Sequence, residues 1–372
     1  MRALGPAFAV AVLVSSGSAL LPAVASARAV PAPTCHGEAA TIVGTAALDR
    51  LVGTAGRDVV VALGGDDVVL GRGGDDLVCG GDGADVLRGG GGDDRLHGQA
   101  EAYRNDRGGR GFEPDLLDGG PGDDLLDAGG DPRDVSYGAH GILDFRRAAR
   151  SVVVDLATGT ARGQGIDTLV VPAAPDCTDA CFGVVVLGSS HDDRLSGGAD
   201  SDYLQGNGGD DHLDGRRGAD ELRAESAGRP EPGTAGDDDT LSGGPGRDLL
   251  VAWLGRDSLY GDSDDDTVWS LGGGPAEVFG GQGDDELVTS FPASPTFMVD
   301  GGAGHDAAQV LAPRRPGTGG RPEAATYDGS TGEATADQTV WGRIGTVEEL
   351  FFSGGIDWSC EHTTGIEVEG CA

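Results

Sequence analysis

An aspartate recurs at every ninth residue between residues 44 and 97, and a row of carboxylates with such regular spacing can bind cations. Six nine-residue units fit this stretch, and position 8 of each unit is Leu or Val. Positions 1 and 4 are glycine in five units of the six. A fixed short period predicts a repeat architecture in which every unit has the same local structure. The position-6 aspartates of the six units are Asp49, Asp58, Asp67, Asp76, Asp85 and Asp94.

The composition of one unit indicates a tight turn followed by a short strand. Glycines at positions 1, 2 and 4 permit positive φ, so six residues can reverse the chain. The remaining three residues form a strand, in which the position-8 side chain points into the core. Two units then make one flattened coil, and coils stack as parallel strands about 4.8 Å apart. The fold class predicted from this pattern is all-β.

Stacking of the coils places the position-6 carboxylates above one another, as with Asp58, Asp76 and Asp94. Two bare carboxylates about 4.8 Å apart repel by roughly 3–4 kcal/mol at an effective dielectric constant near 20. A hard divalent cation between them makes the interaction attractive. Ca²⁺ accepts about 6–8 oxygen ligands in adaptable geometry, whereas Mg²⁺ requires a tighter octahedron. Several calcium ions are therefore the predicted cofactors.

This pattern resembles the repeats-in-toxin (RTX), or hemolysin-type, calcium-binding nonapeptide G-G-x-G-x-D-x-U-x. The resemblance implies a right-handed parallel β-roll, with Ca²⁺ held between the turns of units n and n+2. It implies ligands of two kinds, position-6 carboxylates and turn carbonyls. The predicted carboxylate ligands are Asp58, Asp67, Asp76, Asp85, Asp94, Asp124, Asp193, Asp202, Asp211, Asp220, Asp239, Asp248, Asp257, Asp266 and Asp285. The predicted turn glycines are Gly56, Gly65, Gly74, Gly83, Gly92, Gly209 and Gly246.

The first residues have the features of a secretory signal peptide, predicted to span residues 1–27. Arg2 gives a short positive region, residues 7–14 are apolar, and Ala25, Ser26 and Ala27 form a cleavage site. The alternative is a single membrane anchor, which is disfavoured because Ser, Gly and Pro residues interrupt the apolar run. The predicted location of the protein is extracellular.

The phase of the repeat divides the rest of the chain. The pattern breaks after His97, returns at Asp115 and fades near Tyr137; a second phased stretch begins at Gly188. The unit at residues 270–279 has lost its aspartate and should hold no ion by itself. Solenoids need caps because an end coil exposes its core. The predicted segments are an N-terminal cap at 28–43, roll block 1 at 44–137, spacer strands at 138–187, roll block 2 at 188–311 and a C-terminal cap at 312–372.

Six cysteines behind a signal peptide imply an oxidising compartment and possible disulfides. Six cysteines allow fifteen pairings. Local geometry favours Cys35–Cys79, Cys177–Cys181 and Cys360–Cys371, and the first of these would tie the N-terminal cap to the roll.

The charge balance excludes two classes of partner. There are 62 acidic residues against 26 basic ones, and the net charge is −36. Such acidity disfavours nucleic acid and anionic membrane surfaces. An alternative is a disordered acidic, glycine-rich chain, and that description can still apply to the calcium-free state. The phased aliphatic position 8 opposes it for the calcium-bound state.

Signatures of common hydrolases are missing from the sequence. It contains neither H-E-x-x-H nor G-x-S-x-G. Adjacent carboxylates such as Asp66 and Asp67 could serve acid–base catalysis, but we interpret position 6 as a calcium ligand and position 5 as solvated. Histidines within repeats, such as His97, are interpreted as solvated surface residues.

The sequence therefore predicts a secreted, non-enzymatic calcium-binding protein that folds when it binds Ca²⁺. One alternative is a calcium-stiffened cell-surface adhesin or structural protein, and a less favoured one is a polysaccharide-acting enzyme on a solenoid face. The aromatic residues Trp341, Phe351, Phe352 and Trp358 indicate a hydrophobic end cap or, alternatively, a carbohydrate or partner surface. An unidentified protein or a surface polysaccharide is the predicted partner besides calcium.

Overall fold

Short strands that alternate between two sheets make up most of the chain. The computed structural model describes residues 32–98, 114–129, 141–171, 183–225, 237–253, 255–271, 276–290, 297–311, 325–328, 333–336, 339–347, 349–353, 358–361 and 367–369. The predicted signal peptide lies outside these residues, as do Cys177, Cys181 and Cys371.

The strands of the first half follow the nine-residue period closely. They are β1 (Thr34–Cys35), β2 (Glu38–Ala39), β3 (Ile42–Val43), β4 (Arg50–Val52), β5 (Val59–Gly64), β6 (Val68–Gly73), β7 (Leu77–Asp82), β8 (Val86–Gly91), β9 (Arg95–His97), β10 (Leu116–Asp118), β11 (Leu125–Asp127), β12 (Ile142–Asp144), β13 (Val153–Asp155), β14 (Thr160–Arg162), β15 (Ile166–Val170), β16 (Val185–Leu187) and β17 (Arg194–Ser196).

The second half continues the same alternation and ends in longer strands. They are β18 (Tyr203–Asn207), β19 (His212–Asp214), β20 (Glu221–Glu225), β21 (Thr240–Pro245), β22 (Leu249–Ala252), β23 (Ser258–Ser263), β24 (Thr267–Ser270), β25 (Glu277–Gln282), β26 (Glu286–Ser290), β27 (Phe297–Ala303), β28 (Ala307–Leu311), β29 (Ala325–Asp328), β30 (Glu333–Ala336), β31 (Thr339–Ile344), β32 (Glu349–Ser353), β33 (Trp358–Glu361) and β34 (Glu367–Glu369).

Successive units place their strands in opposite sheets. Sheet I consists of parallel strands in the order β4, β6, β8, β10, β12, β16, β18, β20, β22, β24, β26, β28, β32, β34. Sheet II contains the intervening strands from β3 to β33. Val60 of β5 pairs with Val78 of β7, and Val69 of β6 pairs with Leu87 of β8. One coil is therefore two units long, and the prediction of an all-β parallel roll is confirmed.

Position 8 forms the core between the two sheets. Val60, Val69, Val78, Leu87 and Leu96 are completely buried. Complete burial of such a side chain stabilises the fold by about 1.5–3 kcal/mol. The single apolar residue per unit therefore forms one continuous column through the roll, which extends into the second block.

The spacer continues both sheets but changes the topology of one. Sheet I passes through it by β10, β12, β16 and β18, all parallel. In sheet II, β13 pairs antiparallel with β14, and β14 pairs antiparallel with β15. This meander joins the two blocks, because β15 pairs with β11 and β13 pairs with β17. The sequence indicated strands here but not the two antiparallel pairings.

A disulfide fastens an N-terminal hairpin to the outer face of sheet II. Strands β1 and β2 pair antiparallel, and Cys35 is bonded to Cys79. The two cysteines are buried in a second apolar cluster with Val59, Val61 and Leu77. The predicted Cys35–Cys79 pairing is therefore confirmed. The described part of the chain contains no helix that is long and apolar enough to cross a bilayer.

Strands are also present in the segment that the sequence analysis assigned to a C-terminal cap. Residues 339–344 form β31, and β32 pairs parallel with β28 of sheet I. The side chains of Trp341, Phe352 and Trp358 lie outside the described part of the chain, so the interpretation of the aromatic cluster stays a prediction.

Candidate calcium sites

Most position-6 aspartates bond to the preceding coil through one carboxylate oxygen. The Asp58 N–H donates to Asp76 Oδ1 at 2.7 Å, and the Asp76 N–H donates to Asp94 Oδ1 at 2.8 Å. In the second block the Asp193 N–H donates to Asp211 Oδ1 at 2.8 Å. The aspartates thus form rows along the roll with an 18-residue spacing, as the coil length predicts. A bond from N–H to carboxylate also offsets part of the repulsion along each row.

The same bond persists where the chain between two aspartates is longer. The Asp85 N–H donates to Asp115 Oδ1 at 2.7 Å across a separation of 30 residues. The Asp220 N–H donates to Asp248 Oδ1 at 2.7 Å across 28 residues. The rows of carboxylates therefore continue past the interruptions of the repeat. Asp115 joins its row although the sequence analysis did not include it among the ligands.

Position-5 aspartates make the opposite bond, which the sequence did not predict. Asp75 Oδ1 accepts from the Asp93 N–H at 3.0 Å, so this carboxylate reaches forward to the next coil. Asp192 Oδ1 likewise accepts from the Asp210 N–H at 3.0 Å. The interpretation of position 5 as merely solvated is wrong at these sites, because the exposed carboxylates bind backbone N–H groups of the following turn.

The second oxygen of many position-6 carboxylates is buried in its turn without a donor. Within the described residues, Oδ2 has no hydrogen-bond partner in at least ten such turns, and each of these side chains is at most 2% exposed. An unpaired buried polar atom costs about 1–3 kcal/mol, and more if it is charged. We call these ten the open turns; their aspartates are Asp67, Asp76, Asp85, Asp94, Asp124, Asp211, Asp220, Asp248, Asp266 and Asp285.

Burial makes the charged form of these carboxylates unfavourable. Desolvation raises the pKa of Asp85 to about 7 and that of Asp211 to about 8. It raises the pKa of Asp220 to about 9. Neighbouring carboxylates raise these pKa values further, whereas the N–H donor from the preceding coil lowers them. A bound cation would offset the desolvation cost of these carboxylates, since it favours their ionised form.

The backbone of an open turn is left-handed at positions 2 and 4. In the turn of Asp76, φ is 83° at Arg72 and 97° at Gly74. Of the predicted turn glycines, Gly65, Gly74, Gly83, Gly92, Gly209 and Gly246 have φ between 97° and 142°. Gly56 is not among the left-handed residues of the described chain.

Glycine at position 1 of most open turns leaves space and does not have positive φ, contrary to the sequence prediction; the turn of Asp67 has Ala62 there. A Cβ atom at Gly261 would lie 2.5 Å from Asp266 Oδ2 and 2.5 Å from the carbonyl oxygen of Gly280. The carboxylate of one coil and a carbonyl of the next therefore converge beside this glycine. A side chain here would displace the oxygens that face the site.

The open turns fit calcium by three criteria. Each of the ten has an unsatisfied buried carboxylate oxygen. In nine of them a Cβ atom at the position-1 glycine would lie within 2.5 Å of that oxygen, whereas the turn of Asp67 has Ala62 there. A carbonyl oxygen of the next coil lies close to the same place in several of these turns, such as that of Asp266. An all-oxygen donor set suits hard cations, and adaptable turn geometry suits Ca²⁺ better than Mg²⁺.

Three predicted ligands lie in turns of another kind, which we call closed turns. Asp58 Oδ2 accepts from the Thr54 N–H at 2.6 Å. Asp193 Oδ2 accepts from the Ser189 N–H at 2.5 Å, and Asp202 Oδ2 from the Gly198 N–H at 2.7 Å. Asp49 has the same arrangement with Thr45. In the closed turns the position-2 N–H donates to Oδ2, the oxygen that has no partner in the open turns.

Two further predicted ligands belong to the rows of carboxylates, but the structure describes only part of the turn that precedes each of them. Asp239 Oδ1 accepts from the Asp211 N–H at 2.8 Å, and Asp257 Oδ1 from the Asp239 N–H at 3.2 Å. Desolvation raises the pKa of Asp239 to about 7 and that of Asp257 to about 9. Residues 226–236 and 254, which belong to these turns, lie outside the described ranges.

His97 is buried, which corrects its interpretation as a solvated residue. It is 7% exposed, and its Nδ1 lies 3.1 Å from Asp127 Oδ2. The ring of His36 from the N-terminal hairpin packs against it, with centroids 3.8 Å apart and planes tilted by 32°. The hairpin covers this position, so the repeat pattern alone could not reveal its burial.

The fold and the turns together define a calcium-type parallel β-roll. The family model of the RTX calcium-binding nonapeptide repeat (4 copies) matches residues 43–78, 80–102, 111–132, 187–222 and 234–268. Within residues 43–268 the chain therefore carries RTX calcium-binding repeats, as the resemblance in its sequence implied. No curated protein matches the chain. The repeat family is a calcium-binding module and not a catalytic one.

Proposed function

We propose that the protein is secreted, binds several calcium ions in its open turns and completes its folding when they bind. The ligands are the carboxylates of the ten open turns with those of Asp239 and Asp257, and carbonyls of the turn glycines. The observation that carries the proposal is the buried, unpaired Oδ2 of the open turns. These oxygens are unfavourable in the fold unless a cation compensates them.

Calcium acts here through the folded state. The rows of carboxylates exist only when coils are stacked, so the unfolded chain has no comparable site. A ligand that binds only the folded state stabilises it by RT ln(1 + [L]/Kd). Extracellular calcium modules have dissociation constants of about 10⁻⁴–10⁻³ M. The chain therefore remains unfolded in a calcium-poor cell and folds after export.

Export is supported by two features. The N-terminal sequence has the pattern of a signal peptide. The Cys35–Cys79 disulfide fits an oxidising compartment, because cytosolic thiols are kept reduced. Repeats of this family are typical of secreted proteins.

A non-enzymatic role is supported by the state of the paired carboxylates. At Asp75 and Asp76, which acid–base catalysis could use, Asp75 Oδ1 accepts a backbone N–H and Asp76 Oδ1 accepts another. Carboxylates engaged in this way hold coils together and have little freedom to move protons. The chain works as a calcium-loaded scaffold.

Circular dichroism and size-exclusion chromatography of the mature chain test calcium-linked folding. The chain should be expanded in EDTA and compact and β-rich in millimolar Ca²⁺, with a much weaker response to equal Mg²⁺. A compact β-rich chain in EDTA that is unchanged by calcium would overturn the proposal.

The adhesin alternative is favoured by an aromatic pair on sheet II. Tyr260 and Phe279 lie in adjacent strands with their rings stacked nearly parallel and centroids 5.1 Å apart. Partly exposed aromatic side chains are enriched at interfaces with partners, and their ring faces or edges can contact a sugar ring. A pull-down of surface polysaccharide with and without Ca²⁺, repeated with Phe279→Ser, would show retention that needs both calcium and the ring if the alternative holds.

A further inference from the structure

The closed turns occur together at the start of each regular block. The turns of Asp49 and Asp58 belong to the first two units of block 1. The turns of Asp193 and Asp202 belong to the first two units of block 2. Two consecutive units form one coil, so one complete closed coil begins each block.

The closed turn differs from the open turn in the direction of one N–H group. In the open turns of Asp85 and Asp94, the position-2 N–H donates to the next coil: Gly81 to the Gly98 carbonyl at 3.2 Å and Gly90 to the Gly119 carbonyl at 2.9 Å. In a closed turn this N–H donates to the aspartate of its own unit. A protein donor therefore occupies the face of the carboxylate that an ion would need.

In the closed coil of block 2, side chains also donate hydrogen bonds to a backbone carbonyl oxygen of each turn. Asn207 Nδ2 donates to the Gly188 carbonyl at 2.8 Å. Arg216 Nη1 donates to the Gly197 carbonyl at 3.1 Å. Gly188 and Gly197 are the position-1 residues of the two closed turns, so the carbonyls at the start of both turns also have donors.

The Arg216 guanidinium adds a positive charge beside the turn of Asp202. It forms a bidentate ion pair with Asp155 of the spacer, with bonds of 2.8 and 3.0 Å. Arg216 is thus held in place by a segment outside the repeat. A calcium ion in this turn would lose the Gly197 carbonyl as a ligand and would be repelled by the guanidinium.

We infer that the closed coil at the start of each block holds no calcium and that its own N–H groups replace the ion. The inference rests on the proposed function, and it removes Asp58, Asp193 and Asp202 from the ligands predicted by sequence. Each block then begins with a coil whose turns need no ion, and the calcium-dependent coils stack on its edge.

Asparagine substitution at two matched positions tests the inference. Asp202 and Asp220 lie 18 residues apart in one row and are both buried. We expect native mass spectrometry at saturating Ca²⁺ to find at least one ion fewer in Asp220→Asn. Asp202→Asn should retain the wild-type number of ions, although it loses a charged acceptor.

A second measurement shows whether either variant has failed to fold. Calcium titration by circular dichroism reports whether each variant reaches the wild-type signal, and ions are counted where it does. If Asp220→Asn does not fold, Asp211→Asn against Asp193→Asn gives the same comparison. Loss of an ion in Asp202→Asn or Asp193→Asn would overturn the inference and leave the proposed function standing. Absence of bound calcium in the wild-type chain would instead overturn the proposed function.

Discussion

Alanine at position 1 of an open turn should damage the site far more than alanine two residues later. A Cβ atom at Gly89 would lie 2.6 Å from Asp94 Cγ and 2.8 Å from Asp94 Cβ. A Cβ atom at Gly91 would have nothing within 4 Å. Both glycines lie in the same turn and neither has positive φ in the structure, so Gly91→Ala is a control for the change in chain entropy.

The size of the effect follows from two losses. Forcing a methyl group into a filled space costs about 1–3 kcal/mol. If the Asp94 carboxylate moves away, it also loses the bond from the Asp76 N–H, and a bond to a charged group contributes about 1.5–3 kcal/mol. Gly89→Ala should therefore lower the free energy of unfolding by about 2.5–6 kcal/mol. Gly91→Ala should change it by less than about 1 kcal/mol, in the stabilising direction if at all.

Urea unfolding at saturating Ca²⁺, followed by circular dichroism, measures the difference. The number of bound ions is counted on the same samples, and Gly89→Ala should bind fewer while Gly91→Ala binds the wild-type number. Equal stability and equal calcium content in the two variants would refute the steric account of position 1.

The other predictions concern pH, the disulfide and the core. In EDTA, stability should fall as pH rises from about 4 to 7, because burial raises the pKa of Asp248 from 3.8 to about 7 and the folded state retains a proton that the unfolded chain has lost. Circular dichroism against pH measures it; a rise in folded structure over that range would contradict the assignment. Cys35→Ser with Cys79→Ser frees a loop of 44 residues and should cost about 4 kcal/mol by the chain-entropy relation. Its urea midpoint in Ca²⁺ should drop, and an unchanged midpoint would exclude the disulfide as a fastening. Leu213→Ala truncates a fully buried position-8 side chain and should cost about 2–5 kcal/mol in urea unfolding, whereas a loss below 1 kcal/mol would mean that the column repacks.

The nine-residue period was sufficient to predict the coil, the core and the rows of carboxylates. Position 8 needed only its aliphatic character, and Val60 and Leu87 are buried as expected. The row of Asp58, Asp76 and Asp94 followed from the 18-residue spacing. These features depend on residue type and period alone, so no knowledge of the tertiary structure was required.

The difference between open and closed turns depends on the direction of a peptide group, which the period does not encode. A local signal exists, because position 2 is Thr45, Thr54 or Ser189 in three of the closed turns, and such residues favour side-chain bonds within turns. Gly198 breaks this rule, and there the contact of Arg216 with the Gly197 carbonyl accompanies the closed form. The antiparallel spacer and the burial of His97 depend on partners remote in sequence.

The carboxylates of positions 5 and 6 bond to opposite neighbouring coils, and this limits the lengths by which such a chain can grow or shrink. Where position 5 is also an aspartate, a coil is bonded backward by its position-6 carboxylate and forward by its position-5 carboxylate, so such internal coils have equivalent neighbours. Loss of residues 197–214 would place Asp220 where Asp202 stands, with strands still in their own sheets. Loss of only nine residues would exchange the sheets of all later strands and move one row of aspartates to the opposite edge. Duplication and deletion can therefore alter the capacity for calcium in whole coils, two turns at a time.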